Sequence, residues 1–275
     1  MRHEDLYMIV DCVPDDPRVP LGHRHNSRLS FELFAYGKSF IIDPGTYIYT
    51  ADPEWRNMFR STAYHNTVKV DKQEQSEFDP SVLFWFGKQA EVRVNEWQTE
   101  DEYDFLDVEH SGYERLADPV IHRRQIFFNK REGYWLIKDT LTSVAQDSIL
   151  VNAKHRSQSK CEFELNFHFA PMEIVPDTAG TMSVVATDRD GVGMMVVPVK
   201  LDGFELSVEQ SWISCSYGKK TGAPVVNYRK AVAHASLPIE SLMILYPYVG
   251  DQPGIDPREI QKMASVFAWP GDRPA

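Results

Sequence analysis

The sequence predicts an all-β protein, a large antiparallel multi-sheet β-sandwich (supersandwich-like) with few short helices. Aromatic residues make up 12% of the 275 residues, enough to fill the contacts between packed sheets. Short apolar or alternating runs recur along the chain and end at Gly, Pro, Asp or Asn. Helical periodicity is poor outside two short segments, Pro53–Arg60 and Pro257–Ser265, each of which begins with a proline.

About fourteen runs have the length and composition of strands, a number that suits two or more packed antiparallel sheets. They are residues 6–13, 29–36, 39–42, 67–70, 82–86, 90–94, 120–128, 134–139, 148–151, 161–169, 182–186, 193–199, 212–217 and 242–248. Strand signals of the same type lie on both sides of the polar segment 154–160. We therefore predict one continuous domain over residues 1–275, with a loosely held tail from Trp269 onwards.

The charge of the chain excludes some classes of partner. The formal net charge is −11, which repels nucleic acid and anionic membranes. No apolar run approaches the length of a membrane span, and the first residues show no signal-peptide pattern, so the localisation stays open. An anionic polysaccharide would also be repelled, and would need local basic groups to bind.

Three cysteines, Cys12, Cys161 and Cys215, are odd in number and widely spaced. They form neither a metal-binding pair nor a disulfide framework. Each lies in an apolar, strand-like stretch, so we predict three buried structural thiols.

Four polar residues near the N-terminus are candidates for chemistry. His23 and His25 stand two residues apart before a predicted strand, so their side chains project to the same face of an extended backbone. Asp43 ends an apolar run before Pro-Gly, which on its own is typical of a turn residue. His65 begins a strand, and a lone histidine there is more typical of a hydrogen-bonded core residue.

Together, these residues indicate a different interpretation. Two neutral imidazoles and a carboxylate form a ligand set for zinc. His25, Asp43 and His65 come from three successive elements of a β region, and neighbouring strands lie about 5 Å apart. The three side chains are therefore candidates for one zinc site, although spacing alone does not bring them together.

The order of the motifs along most of the chain resembles the C-terminal domain of heparinase II/III-like polysaccharide lyases. The matching motifs are Gly22-His23-x-His25, Leu29-Ser30-Phe31-Glu32, Asp43-Pro44-Gly45-Thr46, Phe59-Arg60-Ser61-Thr62-Ala63-x-His65-Asn66-Thr67-Val68, Val70-Asp71-x-Gln73-x-Gln75, His110-x-Gly112-Tyr113-x-Arg115, His122-Arg123-Arg124, Trp135-Leu136-Ile137-x-Asp139, Phe167-His168-Phe169-Ala170-Pro171 and Ser216-Tyr217-Gly218.

The resemblance implies a C-terminal β-sandwich that works with an N-terminal α/α toroid. Enzymes of this family cleave acidic polysaccharides by β-elimination in the cleft between the two. His23 matches the position of the family's active-site histidine, and His25, Asp43 and His65 match the positions of its zinc ligands. The implied zinc is structural and holds the loop that carries His23, with a Lewis-acid role as the alternative.

Three further residues have two interpretations each. The planar guanidinium of Arg60 suits a substrate carboxylate, or it fixes the loop to a buried backbone carbonyl or an Asp. Tyr47 and Tyr49 alternate on an extended segment, where each supplies either a phenol to the site or an aromatic ring to the core.

Two departures from the family affect these expectations. Relatives often carry an Asp where Ser27 stands, followed by an apolar residue where Arg28 stands, so metal affinity or loop rigidity is in doubt. Nothing before Leu6 can form the toroid, which in the family contributes an Asn and a Tyr or His. We therefore expect this chain alone to lack a complete active site and to show little lyase activity.

Alternatives from other functional classes remain open. One is a non-catalytic carbohydrate-binding or scaffolding β domain in exopolysaccharide metabolism. Another is a metal-dependent hydrolase in which Glu32 would be the general base. The sequence does not distinguish heparin-like glycosaminoglycan, alginate and bacterial exopolysaccharide as the polymer. The resemblance implies a periplasmic or secreted location.

Overall fold

The computed structural model describes residues 1–14, 23–82, 85–87, 89–144, 160–178, 180–250, 255–265 and 267–270. In this part of the chain the dominant element is the β-strand. The strands are β1 (Arg2–His3), β2 (Leu6–Val10), β3 (Phe31–Ala35), β4 (Lys38–Ile41), β5 (Val68–Val70), β6 (Val92–Thr99), β7 (Tyr103–His110), β8 (Val120–Asn129), β9 (Tyr134–Ser143), β10 (Lys160–His168), β11 (Glu173–Pro176), β12 (Val184–Thr187), β13 (Val192–Lys200), β14 (Glu205–Ser216), β15 (Lys219–Ala233) and β16 (Ile239–Val249).

The strands form three antiparallel sheets. The first is four-stranded in the order β1-β2-β3-β4, and the second is four-stranded in the order β14-β15-β10-β5. The third is eight-stranded in the order β11-β12-β13-β16-β9-β8-β7-β6. Residues of all three sheets share one large apolar core, which makes the molecule a multi-sheet sandwich.

Burial along the strands explains why the sequence folds this way. In β2, Met8 is buried while its neighbours Tyr7 and Ile9 are exposed, as expected for a strand with one face on the core. In β13, by contrast, residues 192–198 are buried without a break, because this strand is covered on both faces. Gly193 within it has no room for a side chain, since a Cβ there would lie 2.1 Å from the Tyr248 ring.

In the described part of the chain, two short α-helices accompany the sheets. Helix α1 (Pro53–Arg60) begins at Asp52, whose Oδ1 accepts a hydrogen bond from the Trp55 amide at 3.2 Å. Helix α2 (Pro257–Ser265) packs against β13 and β16 through a second apolar cluster on the outer face of the large sheet. No helix within the described ranges is long and apolar enough to cross a membrane.

The predicted fold class is confirmed, and both predicted helices have the predicted bounds. The described residues within 82–86 do not form the predicted strand, and the predicted strand at 148–151 and most of the 154–160 segment lie outside the described residues. Strand β7 was missed because Asp104 and Asp107 interrupt its apolar pattern. Both carboxylates are buried in ion pairs, with Lys130 and Arg123 respectively.

Two smaller expectations need correction. Cys161 is a buried thiol as predicted, and burial raises its pKa to about 12. Cys12 is only partly buried and Cys215 is exposed, because Cys215 lies near the tip of the β14–β15 hairpin. Trp269, predicted to be loose, is buried in the second apolar cluster, where an indole removes a large apolar area from water.

Candidate active site

The three predicted metal ligands lie at one end of the first sheet. Strands β3 and β4 are antiparallel neighbours, so the residues before β3 and the residues after β4 meet at the same end. His25 precedes β3 and Asp43 follows β4. His65 lies just before β5 and reaches the same place because Asn66 holds its segment against both strands.

Asn66 is buried, and both polar groups of its side chain form hydrogen bonds. Its Nδ2 donates to the carbonyls of Phe31 and Ile42, at 2.8 and 2.9 Å. Its Oδ1 accepts from the His168 amide at 2.6 Å. A buried amide bonded in this way orders the loops around it. The position of His65 is therefore set by its neighbour in the sequence.

His65 and Asp43 are in direct contact. The distance from His65 Nδ1 to Asp43 Oδ2 is 2.8 Å, and the Gly45 amide donates to Asp43 Oδ1 at 2.8 Å. Burial opposes ionisation of Asp43, but the adjacent His65 and these hydrogen bonds hold the pKa of its carboxyl at about 2. Asp43 is therefore an anion at neutral pH.

His25 completes the group of three, which we name the groove cluster (His25, Asp43 and His65). Its ring centroid lies 5.2 Å from that of His65. Burial, together with the neighbouring His65, lowers the pKa of His25 to about 3. At neutral pH this imidazole is uncharged and keeps a nitrogen lone pair, the form in which histidine binds a metal.

His65 has one nitrogen that the protein leaves unsatisfied. Its side chain is fully buried, and its Nε2 has no hydrogen-bond partner among the residues that the structure describes. A buried nitrogen without a partner is costly. Across the described ranges, however, no three His, Cys, Asp or Glu side chains are already arranged as a metal-ligand set.

The cluster opens into a groove of about 400 Å³ that His23 also lines. His23 is exposed, and its ring meets that of Tyr49 edge-on, with centroids 5.6 Å apart. Two arginines, Arg24 and Arg28, line the same groove and bring positive charge to a protein of net charge −11. The groove thus combines an accessible imidazole with a wall that carries two arginines and the carboxylates of Asp11 and Asp43. Gly22, the first residue of the motif, lies outside the described residues.

Arg60 lies behind this wall rather than in it. Its side chain is buried, its Nε donates to the Arg24 carbonyl at 3.1 Å, and its guanidinium lies over the Phe86 ring at 4.6 Å. Burial and the nearby Arg56 lower the pKa of Arg60 to about 10. This position corresponds to the second of the two interpretations, an arginine that fixes the loop. Contact with substrate stays a prediction.

Ser27 and Arg28, the two residues that depart from the family motif, both contact the carboxylate of Asp11. The Ser27 hydroxyl donates to Asp11 Oδ2 at 2.7 Å, and the Arg28 guanidinium lies 3.5 Å from Asp11 Oδ1. Asp11 itself lines the groove. A carboxylate is therefore present beside position 27, although it comes from the end of β2 instead of the loop.

A second group of polar residues lies inside the sandwich and was not predicted as a unit. We name it the buried network (His110, His122, Arg124 and Asp139). Arg124 Nε and His122 Nε2 both lie 2.7 Å from Asp139 Oδ1, and Arg124 Nη1 donates to the Asn66 and Leu29 carbonyls at 2.7 and 2.6 Å. The network therefore connects β8 and β9 to the loops of the groove cluster.

The hydrogen bonds of this network fix its two histidines in neutral tautomers. The Gly112 amide donates to His110 Nδ1 at 3.1 Å, so the ring proton of His110 is on Nε2. This proton points to His122 Nδ1 at 3.2 Å, and His122 Nε2–H then donates to Asp139. Burial lowers the pKa of both histidines, in agreement with this assignment.

The fold and the groove define a class of protein, a large antiparallel β-sandwich with a histidine-lined groove at one sheet end. A family model described as "Heparinase II/III-like, C-terminal" matches residues 1–244, and the chain belongs to this family. The resemblance predicted from the motifs is confirmed.

Two curated relatives are both named heparin-sulfate lyase. The Pedobacter heparinus protein is 26% identical over 241 residues, which cover 86% of this chain and 32% of the relative. The Bacteroides stercoris protein is 26% identical over 195 residues, which cover 70% of this chain and 24% of the relative. The chain thus spans about a third or less of the relatives that it matches.

Solved structures agree on the fold. The crystal structure of heparan sulfate lyase HepC from Pedobacter heparinus superposes with a TM-score of 0.71 at 23% identity, covering 90% of this chain and 34% of that chain. A structure titled Heparinase III-BT4657 gene product gives a TM-score of 0.69 at 22% identity, covering 90% of this chain and 33% of that chain. At these identities the similarity shows the architecture alone.

Proposed function

We propose that this chain is the β-sandwich part of a polysaccharide lyase that cleaves a uronate-containing glycosaminoglycan of the heparan sulfate kind. Family membership and the relatives named heparin-sulfate lyase support the class of reaction and polymer. The observation that carries the proposal is the groove, in which exposed His23 stands beside the groove cluster and two arginines.

The chemistry of β-elimination explains why such a groove is useful. A base takes the proton from C5 of the uronate, the C4–O bond breaks, and a C4=C5 double bond forms. The departing oxygen takes up a proton, and negative charge builds on the carboxylate in between. As an imidazole, His23 can serve as acid or base, or it can donate to that carboxylate, and both roles stay open. Arg24 and Arg28 would attract the polyanion.

His25, Asp43 and His65 would hold a zinc ion in this proposal. The donor types fit, since two imidazoles and an ionised carboxylate lie in contact, and buried His65 Nε2 has no partner among the described residues. When bound, the ion would supply a fixed positive charge that locks these side chains together. His23, two residues from His25, would be held at the groove wall as a result.

The substrate cleft would have a second wall from outside these residues. The site described above offers one exposed imidazole and two arginines, whereas β-elimination needs a base, an acid and a carboxylate partner. We therefore propose that the 275 residues alone show little or no lyase activity. Formation of unsaturated uronate by this chain alone, measured by its ultraviolet absorbance, would contradict this part of the proposal.

The test of His23 needs a polypeptide with activity, in which these residues are joined to a helical N-terminal region of the family. We expect His23→Ala to reduce the rate of unsaturated-product formation by about 10²- to 10⁴-fold, the usual effect of losing an acid–base group. His3→Ala is the matched control, because His3 is a partly exposed histidine that does not line the groove. Equal rates for the two variants would exclude a catalytic His23.

A further inference from the structure

The tip of the β14–β15 hairpin is attached to the segment that follows Asp43. The Ser214 amide donates to the Pro44 carbonyl at 2.7 Å, and the Gly218 amide donates to the Tyr47 carbonyl at 2.8 Å. Gly45 allows this close approach, because a Cβ at that position would lie 2.4 Å from the Ser214 carbonyl oxygen. The hairpin tip is therefore held in a fixed position next to the groove cluster.

This tip carries an exposed aromatic ring. Tyr217 is 62% exposed, and its ring centroid lies 5.5 Å from that of Tyr49 at an interplanar angle of 34°. Tyr49 in turn contacts His23. We name Tyr49 and Tyr217 the tyrosine platform. It lies beside His23 at the edge of the groove, and its outer ring, Tyr217, is exposed.

Positive charge and further aromatic rings lie beside the platform. Lys220 Nζ is 2.8 Å from the Trp55 ring centroid, 4.9 Å from that of Trp212 and 5.1 Å from that of Tyr47. These contacts hold the residues next to the hairpin turn in place. Lys219 is exposed next to the turn, so the tip presents a cation on a protein whose net charge is −11.

We propose that the tyrosine platform is a sugar-binding subsite for the acidic oligosaccharide, next to the sugar at His23. This inference rests on the proposed function. One face of a pyranose ring is lined by C–H groups and packs on aromatic rings by dispersion. The anionic group of the same sugar would meet Lys219. Four features support this occupant: Tyr217 is exposed, its backbone is held in place, a cation lies nearby, and the platform reaches His23 at the groove.

The test is calorimetric titration of the 275-residue chain with a heparan sulfate tetrasaccharide at low salt. We expect Tyr217→Ala to weaken binding about three- to tenfold, the effect of losing one aromatic contact. Tyr217→Phe should bind within about twofold of the wild type, because stacking does not need the hydroxyl. Trp97→Ala is the control for an exposed aromatic elsewhere, since Trp97 is 51% exposed on the edge strand β6.

The outcomes separate this inference from the proposed function. If the wild type binds the tetrasaccharide and Tyr217→Ala, shown by circular dichroism to be folded, binds it equally well, the subsite is wrong and the proposed function stands. If the wild type does not bind it at all, the proposed substrate class fails as well. Loss of binding in both Tyr217→Ala and Trp97→Ala would contradict a local subsite.

Discussion

The two histidine clusters of this domain differ in how completely the protein satisfies them. In the buried network, the nitrogens of His122 are both hydrogen-bonded and Asp139 is shared between His122 and Arg124. In the groove cluster, the same residue types leave His65 Nε2 without a partner among the described residues and border an open groove. The residue types alone therefore do not distinguish a structural cluster from a functional site.

The difference has a physical meaning for folding and for chemistry. A closed network of buried charges is held by its mutual hydrogen bonds and fails when one member is removed. A cluster at a surface with unsatisfied hydrogen-bonding groups lowers the stability of the fold, and ligand binding restores that stability. The buried network thus positions the loops, and the groove cluster remains available for a metal.

The largest expected effect comes from removing the anion of the buried network. Asp139→Asn leaves the charge of Arg124 buried without its partner, so we expect the free energy of unfolding to fall by about 3–5 kcal/mol. Asp43→Asn, measured by the same urea denaturation in metal-free buffer, should cost much less because Asp43 is partly exposed. Equal losses would remove the distinction between the two clusters.

An acidic pH should destabilise the fold through its buried histidines, among them His110 and His122. Their folded-state pKa values are lowered by burial, so below about pH 6.5 the unfolded chain binds protons that the folded chain does not. The free energy of unfolding then falls with decreasing pH, by about 1.4 kcal/mol per unit for each such histidine. Urea denaturation between pH 7 and 5, with EDTA present, measures the slope.

His110→Gln sharpens this prediction. The variant removes one titrating group from the buried network, so its stability should depend less steeply on pH, by about one proton's contribution. His234→Gln serves as a control outside both clusters. Parallel curves for the wild type and His110→Gln would mean that His110 does not resist protonation in the fold.

A smaller effect is expected at Arg60, behind the groove wall. Arg60→Met removes the hydrogen bond to the Arg24 carbonyl and keeps the apolar contact with Phe86, so the unfolding free energy should fall by about 1–2 kcal/mol. The loop of His23 and His25 should also become more mobile, measured as faster amide hydrogen exchange. Unchanged exchange together with weaker oligosaccharide binding would instead favour direct contact with substrate.

The smallest effect is expected at Ser27. Ser27→Ala loses a hydrogen bond to Asp11, worth about 0.5–1.5 kcal/mol in thermal or urea unfolding. Ser27→Asp would place a second carboxylate next to Asp11 and should destabilise the loop more than Ser27→Ala does. The opposite order would show that Asp11 does not replace the carboxylate of the family motif.

The sequence predicted the sandwich from local signals, and it predicted the residues of the groove cluster from the resemblance of their motifs to the family. Alternating apolar residues define strands, and the His-x-His and Asp-Pro-Gly motifs stand at strand ends. The buried network was not predicted as a unit, although its motifs were noticed, because its members meet only when strands β7, β8 and β9 pair side by side. The contact of the hairpin tip with Pro44 joins residues about 170 positions apart, which no local pattern encodes.

Metal content tests the central claim most directly. Elemental analysis of the 275-residue chain after dialysis against trace zinc should find about one zinc per chain, and none in His65→Ala. His234→Ala, with an equally buried imidazole outside the groove cluster, should keep its zinc. Absence of zinc from the wild type, or an unchanged content in His65→Ala, would contradict the account.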